Sequence, residues 1–136
     1  MIQRIQSLWL SLAAVAGLLS LKFPFYTGNL VADNTYVKLT AVENIPILIL
    51  TVLSIVLSVI TIFLFRQRKK QTNFTLLNIF ISIIVIVLYI LQLKNFSQGS
   101  FSLACLFVFA MPVFLILALV GIRRDEKIIK SLDRLR

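Results

Sequence analysis

Charged and turn-forming residues divide the chain into four long apolar blocks. The blocks cover residues 5–25, 45–65, 74–93 and 101–122. About 20 residues, each rising 1.5 Å, cross the roughly 30 Å hydrocarbon layer of a bilayer, so each block has spanning length. Backbone groups in lipid must find partners within their own segment, and the blocks are therefore predicted to be helices despite their Ile and Val content. The pattern predicts an all-α membrane protein with four transmembrane helices in a single domain, residues 1–136.

The first block also has features of a secretory signal peptide. Arg4 precedes the apolar run, and Ala14-Val15-Ala16 has the small-residue pattern of a cleavage site. The apolar run continues past that site through Leu21. This continuation favours a retained transmembrane helix over a cleaved leader.

The positions of lysine and arginine predict the orientation of the spans. Eleven of the fourteen basic residues lie before the first block, between the second and third blocks, or after the fourth. The three on the other side are Lys22, Lys38 and Lys94. Because cytoplasmic loops carry the excess of Lys and Arg, we expect both termini and the basic segment between the second and third blocks to face the cytoplasm. The net charge of +9 is thus explained by topology, and no nucleic-acid partner is predicted.

The longest connection, residues 22–44, is predicted to lie on the extracytoplasmic side. Residues 30–32 and 36–40 flank the turn-forming Asp33-Asn34-Thr35, which indicates a small hairpin. Two interpretations stay open: a cap that lies on the membrane surface, or a docking surface for a periplasmic partner. The other extracytoplasmic connection, Lys94–Ser100, is expected only to turn the chain.

The segment after the fourth block, residues 123–136, is predicted to be a cytoplasmic amphipathic helix. Ile128, Leu132 and Leu135 follow one another at helical spacing, with basic residues around them. This apolar face is the candidate docking surface, either on the chain's own basic loop region, on lipid, or on a partner. Solvation with lipid contact is the simpler alternative.

Composition narrows the chemistry that the chain can perform. Hydrophobic residues make up 60% of the sequence and charged residues 14%, and the mean hydropathy is +1.00. There is no histidine and one cysteine, which excludes imidazole catalysis, an internal disulfide and paired-cysteine metal motifs. No ionisable group lies at the centre of a block, so no base is available there for nucleophilic catalysis. We expect no enzymatic activity, cofactor or metal.

Weakly polar and small residues recur along the blocks at helical spacing and are candidates for helix packing. Such faces let transmembrane helices approach closely and form hydrogen bonds between them. The candidates are Ser7, Ser11, Ala13 and Gly17 in the first block, Thr51, Ser54, Ser58 and Thr61 in the second, and Thr75, Asn78 and Ser82 in the third. A polar translocation path along the second block is the alternative.

The two ends of the chain resemble a known family. The opening MIQRIQ (residues 1–6), the RRDEK segment (residues 123–127) and the final DRLR (residues 133–136) occur in order around four apolar blocks. This arrangement resembles small membrane proteins of Bacteroidota that are described only as a domain of unknown function. The resemblance covers the full length, implies a bacterial inner-membrane protein, and brings no activity, cofactor or site residue.

Two classes of function remain for such a chain. The first is a non-catalytic accessory or scaffold subunit, with membrane lipid and other membrane-protein subunits, or copies of itself, as partners. The second is a small oligomeric transporter or channel, for which the only support is the hydroxyl stripe of the second block. The absence of an intramembrane charge favours the first class.

Overall fold

The computed structural model describes the backbone of residues 3–134 and the side chains of residues 5–132. Four long helices account for most of these residues. They are α1 (Gln3–Lys22), α2 (Ile45–Phe63), α3 (Arg68–Gln92) and α4 (Cys105–Arg134). All four are long and apolar enough to cross a membrane, which indicates a multi-pass membrane protein.

The helices pack as a closed ring. α1 contacts α2 and α4, and α3 contacts the same two helices from the opposite side. Consecutive helices run antiparallel, and the connection is short only between α2 and α3. Single 3₁₀ turns at Leu64–Arg66 and Leu93–Asn95 follow α2 and α3. We call the end of the bundle where α1 begins and α4 ends the terminal end.

Two helices extend beyond the apolar blocks of the sequence. α3 begins at Arg68, so much of the basic segment between the second and third blocks is already helical. α4 begins only at Cys105 and continues as one helix through the basic segment to Arg134. Charged residues therefore occupy the helix ends, where long basic side chains can reach water.

A three-stranded antiparallel sheet covers the other end of the bundle, which we call the sheet end. Its strands, β1 (Tyr26–Leu30), β2 (Tyr36–Leu39) and β3 (Phe96–Phe101), lie in the order β2-β1-β3. β1 and β2 form a hairpin whose turn holds Asn34 at a φ of 52°, a conformation that asparagine tolerates. The first strand lies earlier than the residues 30–32 expected from the sequence.

The expectation that Lys94–Ser100 only turns the chain is wrong, because most of this segment belongs to β3. β3 pairs with β1 from Tyr26 opposite Phe101 to Leu30 opposite Phe96, with an irregularity after Asn29. The inner face of the sheet packs on the helices. Phe25, which precedes β1, is buried and stacks on Tyr89 of α3 with ring centroids 4.4 Å apart.

Candidate functional site

The largest group of buried polar side chains lies between α2 and α3. Each of these side chains is nearly inaccessible to solvent, and together they form what we call the polar seam. Its members are Thr51, Ser54, Ser58 and Thr61 of α2 and Gln71, Thr75, Asn78 and Ser82 of α3. The structure thus brings together all seven residues that the sequence singled out in these two helices, and adds Gln71.

Asn78 is the residue that joins the two helices across the seam. Its Oδ1 accepts a hydrogen bond of 2.5 Å from the Ser54 hydroxyl. Its Nδ2 donates to the Ser54 carbonyl oxygen at 3.1 Å and to the Ser58 hydroxyl at 2.8 Å. One fully buried amide therefore makes three hydrogen bonds to the neighbouring helix.

The other seam hydroxyls bond within their own helices. Thr51, Ser58 and Thr61 each donate to the carbonyl oxygen four residues earlier, at 2.6–2.9 Å. Thr75 makes the same bond on α3, and the Gln71 amide crosses to the Thr61 carbonyl oxygen at 3.2 Å. The seam is therefore closed by its own hydrogen bonds, an arrangement suited to packing two helices in an apolar medium.

The small residues that the sequence singled out in α1 differ in how deeply they are buried. Ala13 and Gly17 lie on the buried face of α1, together with Leu10 and Ser20. Because Gly17 has no side chain, Ile55 of α2 approaches it closely. A Cβ added at Gly17 would lie only 2.7 Å from Ile55 Cγ1. Ser7 is half-buried.

Ser11, the remaining helix-packing candidate of α1, does not lie at a contact between helices within the chain. Its side chain is exposed and donates to the Leu8 carbonyl oxygen at 2.8 Å. Successive residues of a helix are rotated by about 100°, and Ser11 therefore turns away from the face that buries Leu10 and Ala13.

A buried carboxylate at the terminal end was not singled out from the sequence. Asp125 of α4 is 4% exposed, and its Oδ2 accepts a hydrogen bond from the amide of Gln6 on α1. The same Gln6 amide donates to the Gly121 carbonyl oxygen at 3.1 Å. Arg68 of α3 places its Nη1 3.9 Å from Asp125 Oδ2, beyond hydrogen-bond distance. Three helices thus meet at one acidic side chain.

The sequence did contain a signal for this position. Leu115, Ala118 and Ile122 are buried along one face of α4, and Asp125 continues their spacing of three and four residues. The buried stripe therefore passes beyond the last apolar residue into the charged segment. The helical spacing of Ile128, Leu132 and Leu135 placed the inner face of this segment on those three residues, and Asp125 was therefore not singled out.

A cavity of about 300 Å³ lies beside this carboxylate between the ends of α1 and α4. Its lining residues are Ile5, Gln6, Gly121, Arg124, Asp125 and Ile128. Apolar surface dominates the walls. Within the part of the chain that the structure describes, no group of three or more His, Cys, Asp or Glu residues is placed to hold a metal ion.

A protein-family model described as "Domain of unknown function (DUF4293)" matches residues 2–135. The chain belongs to this family. The DUF4293 match spans the four helices, the polar seam and the three residues Gln6, Arg68 and Asp125 that meet at the terminal end. No curated protein and no solved structure matches the chain.

Two of the three apolar side chains that the sequence indicated in the C-terminal segment of this DUF4293 chain, Ile128 and Leu132, do not dock on its own basic loop. Ile128 and Leu132 are 38% and 61% exposed, and the third member of the set, Leu135, lies outside the described residues. The segment continues α4 as one helix to Arg134, and it is Asp125, not Ile128 or Leu132, that this helix brings close to Arg68 of the basic segment. Lipid and a partner remain as the surfaces that they could contact.

Proposed function

We propose that the chain is a non-catalytic accessory or scaffold subunit of a larger membrane-protein complex in the bacterial inner membrane. The observation that carries this proposal is the end of α4, which extends past the apolar span with Ile129 and Leu132 uncovered among basic residues. Apolar side chains in this setting favour contact with another surface. The likeness of the terminal motifs to those of Bacteroidota proteins supports a bacterial source.

The burial and hydrogen bonding of the polar seam favour a role in packing the helices over a role in transport. A channel built from this unit would need polar groups that face a path, and the α2 hydroxyl stripe is its natural candidate. Those hydroxyls are instead buried and bonded within α2 or to Asn78. No specific observation therefore favours the transporter, and we do not propose it as a second function.

The orientation that we propose places both termini in the cytoplasm and the sheet in the periplasm. Its support is the basic segment between α2 and α3, which shares the terminal end with the charged end of α4. A reporter enzyme active only in the periplasm should show no activity when fused after Arg136. The same reporter inserted in the Asn34 turn should be active, and the reverse pattern would contradict the topology.

The test of the scaffold proposal is co-purification that depends on the end of α4. The full chain, tagged and extracted from its own cells with native lipid, should retain a membrane-protein partner at fixed stoichiometry. Changing both Ile129 and Leu132 to Ser keeps every charge and should lower recovery of that partner at least about ten-fold, since burial of even one apolar side chain contributes about 1.5–3 kcal/mol and 1.4 kcal/mol changes an equilibrium ten-fold.

The exposed Ser131 supplies a matched control on the same helix. Ser131→Ala should leave partner recovery unchanged, and both variants should keep the wild-type thermal transition. Recovery of the chain only as a homo-oligomer, or of a partner that the double change leaves in place, would refute the scaffold role assigned to this segment.

A further inference from the structure

When its apolar stretch spans a bilayer, α4 ends beyond the lipid headgroups. The helix carries no charge from Cys105 to Ile122, a length of about 27 Å that matches the roughly 30 Å hydrocarbon layer. Leu132 follows ten residues later in the same helix, about 15 Å beyond Ile122. The headgroup layer adds only about 5–8 Å on each side, and a helix tilt of about 40° would still place Leu132 about 11 Å from the hydrocarbon. Lipid therefore does not cover this side chain, and a protein is the surface left to do so.

The uncovered apolar side chains lie on one side of α4. Ile128, Ile129 and Leu132 follow the buried Asp125 at spacings of three, four and seven residues, so they share its side of the helix. Their exposed fractions rise from 38% to 41% and 61% with distance from Asp125, where α1 and α3 still contact α4. We call Ile128, Ile129 and Leu132 the apolar stripe. Apolar residues at this spacing are the anchors through which one amphipathic helix binds another surface.

The apolar stripe lies beside a basic surface. Asp125, on the same side of α4, is 3.9 Å from Arg68 at the start of α3, so the stripe lies on the side of α4 that faces residues 66–70. The two acids next to the stripe are already paired, Asp125 with Arg68 and Glu126 with Lys130. Three basic side chains of residues 66–70 are exposed and form no ion pair within the described part of the chain: Arg66, Lys69 and Lys70. The angle between the end of α4 and this segment therefore combines an apolar wall with a positively charged floor.

We propose that this angle binds an acidic amphipathic α-helix of the partner protein. The inference rests on the scaffold role and specifies the chemistry of the partner. Apolar residues of the bound helix cover the apolar stripe, and its carboxylates pair with Lys69 and Lys70. A second copy of the chain is the weaker candidate, because its own terminal end would bring the same positive charges together, and like charges at an interface are unfavourable.

Binding of synthetic peptides to the full chain in phosphatidylcholine nanodiscs tests the chemistry of the partner. The probe is a helical peptide with leucine at heptad positions a and d and glutamate at positions e and g. It should bind at least about ten-fold more tightly than a peptide with lysine in place of glutamate, and than a peptide of the same composition in scrambled order. Equal binding of the three peptides would overturn the proposal.

Two charge variants locate the site. Lys69→Gln with Lys70→Gln removes two charges from the floor and should weaken binding of the glutamate peptide about five-fold, which equals about 1 kcal/mol, the size expected of two exposed ion pairs. Arg123→Gln with Lys127→Gln removes the same charge from the opposite side of α4 and should change the affinity less than about two-fold. Equal losses in the two variants would mean that net charge alone attracts the peptide, and the site would be refuted.

The position of the end of α4 relative to the bilayer is measured separately. Nitroxide labels are attached to cysteines that replace Ser131, next to Leu132, or the exposed Val113 within the apolar stretch, in a Cys105→Ser background. The label at Ser131 should collide with a water-soluble nickel chelate, and the label at Val113 with oxygen dissolved in the lipid. A Ser131 label with the same collision profile as Val113 would overturn the proposal, because lipid would then cover the apolar stripe.

The results separate the acidic helix from the scaffold role itself. A partner that is recovered from cells through Ile129 and Leu132, combined with no preference for the glutamate peptide, would refute the acidic helix and leave the scaffold role in place. A clear preference for the glutamate peptide, combined with no partner recovered from cells, would refute the scaffold role and leave the recognition chemistry of the site supported.

Discussion

Replacing Asn78 with alanine is expected to lower the free energy of unfolding by roughly 2–5 kcal/mol. The change removes three hydrogen bonds between α2 and α3, and bonds between membrane helices contribute about 0.6–1.7 kcal/mol each. It also leaves a void at a side chain that is fully buried. The expected result is a marked shift of the unfolding transition of the purified protein, measured by titration with sodium dodecyl sulfate.

Thr75→Val is the matched control for this prediction. Thr75 is equally buried on the same helix, but its hydroxyl bonds only to the Gln71 carbonyl oxygen of its own helix. Valine keeps the shape and removes only that bond, so the transition should move little. If the Asn78 and Thr75 variants shifted the transition equally, the bonds across the seam would not be what holds the two helices together.

Helical periodicity predicts which polar residues of α2 and of α3 share one face. It does not predict which of their side chains form hydrogen bonds with the other helix. The spacing of Thr51, Ser54, Ser58 and Thr61 places them on one face of α2, and the structure buries that face. The bond from Ser54 to Asn78 depends on the axial offset of the two helices. That offset is determined by the connection between α2 and α3 and by the packing of the two helices along their whole length. A local sequence pattern does not include this information.

In the sheet, the hairpin turn follows from the local sequence, whereas the third strand depends on residues that are far away in sequence. The hairpin turn is encoded locally, because Asp33, Asn34 and Thr35 favour a tight turn wherever they occur. β3 contains Gln98-Gly99-Ser100, which has little intrinsic strand preference, and it becomes a strand by pairing with β1, far away in sequence. That pairing depends on the packing of the helices, which places the connection after α1 beside the connection between α3 and α4.

The burial of Asp125 is a third feature that the sequence pattern did not predict. Charges that follow an apolar span are ordinarily solvated and orient the helix in the membrane, and Arg123, Arg124 and Lys127 do lie exposed. Asp125 differs only in its angular position on α4, which turns it toward Gln6 and Arg68. A charge buried in such a place is costly unless it is paired, and Arg68 and Gln6 supply the partners.

Replacing Gly28 with alanine is expected to separate β3 from β1. Gly28 lies opposite Gly99, and an added Cβ would lie 2.3 Å from the Gln98 carbonyl oxygen and 2.8 Å from Gly99 Cα. Both are backbone atoms, so no side chain can move aside. We expect a cost of about 3 kcal/mol, at the upper end of the range for overpacked sites, which is enough to favour the unpaired strand.

The measurement is cross-linking between β1 and β3. Cysteines that replace Thr27 and Ser100, which lie opposite each other, should be joined efficiently by a short bifunctional thiol reagent in a Cys105→Ser background. Gly28→Ala should reduce that yield at least about ten-fold, since 1.4 kcal/mol already changes an equilibrium ten-fold.

Gly121→Ala is the glycine-to-alanine control for this last prediction. Its added Cβ would meet only the Gln6 side chain, at 3.1 Å from Cγ, and that flexible chain can shift by a few tenths of an ångström. The yield of cross-linking at the sheet should therefore stay at the wild-type level. An equally high yield in Gly28→Ala would mean that β1 and β3 tolerate a side chain between them, and the close approach of the two glycines would not be what permits the third strand.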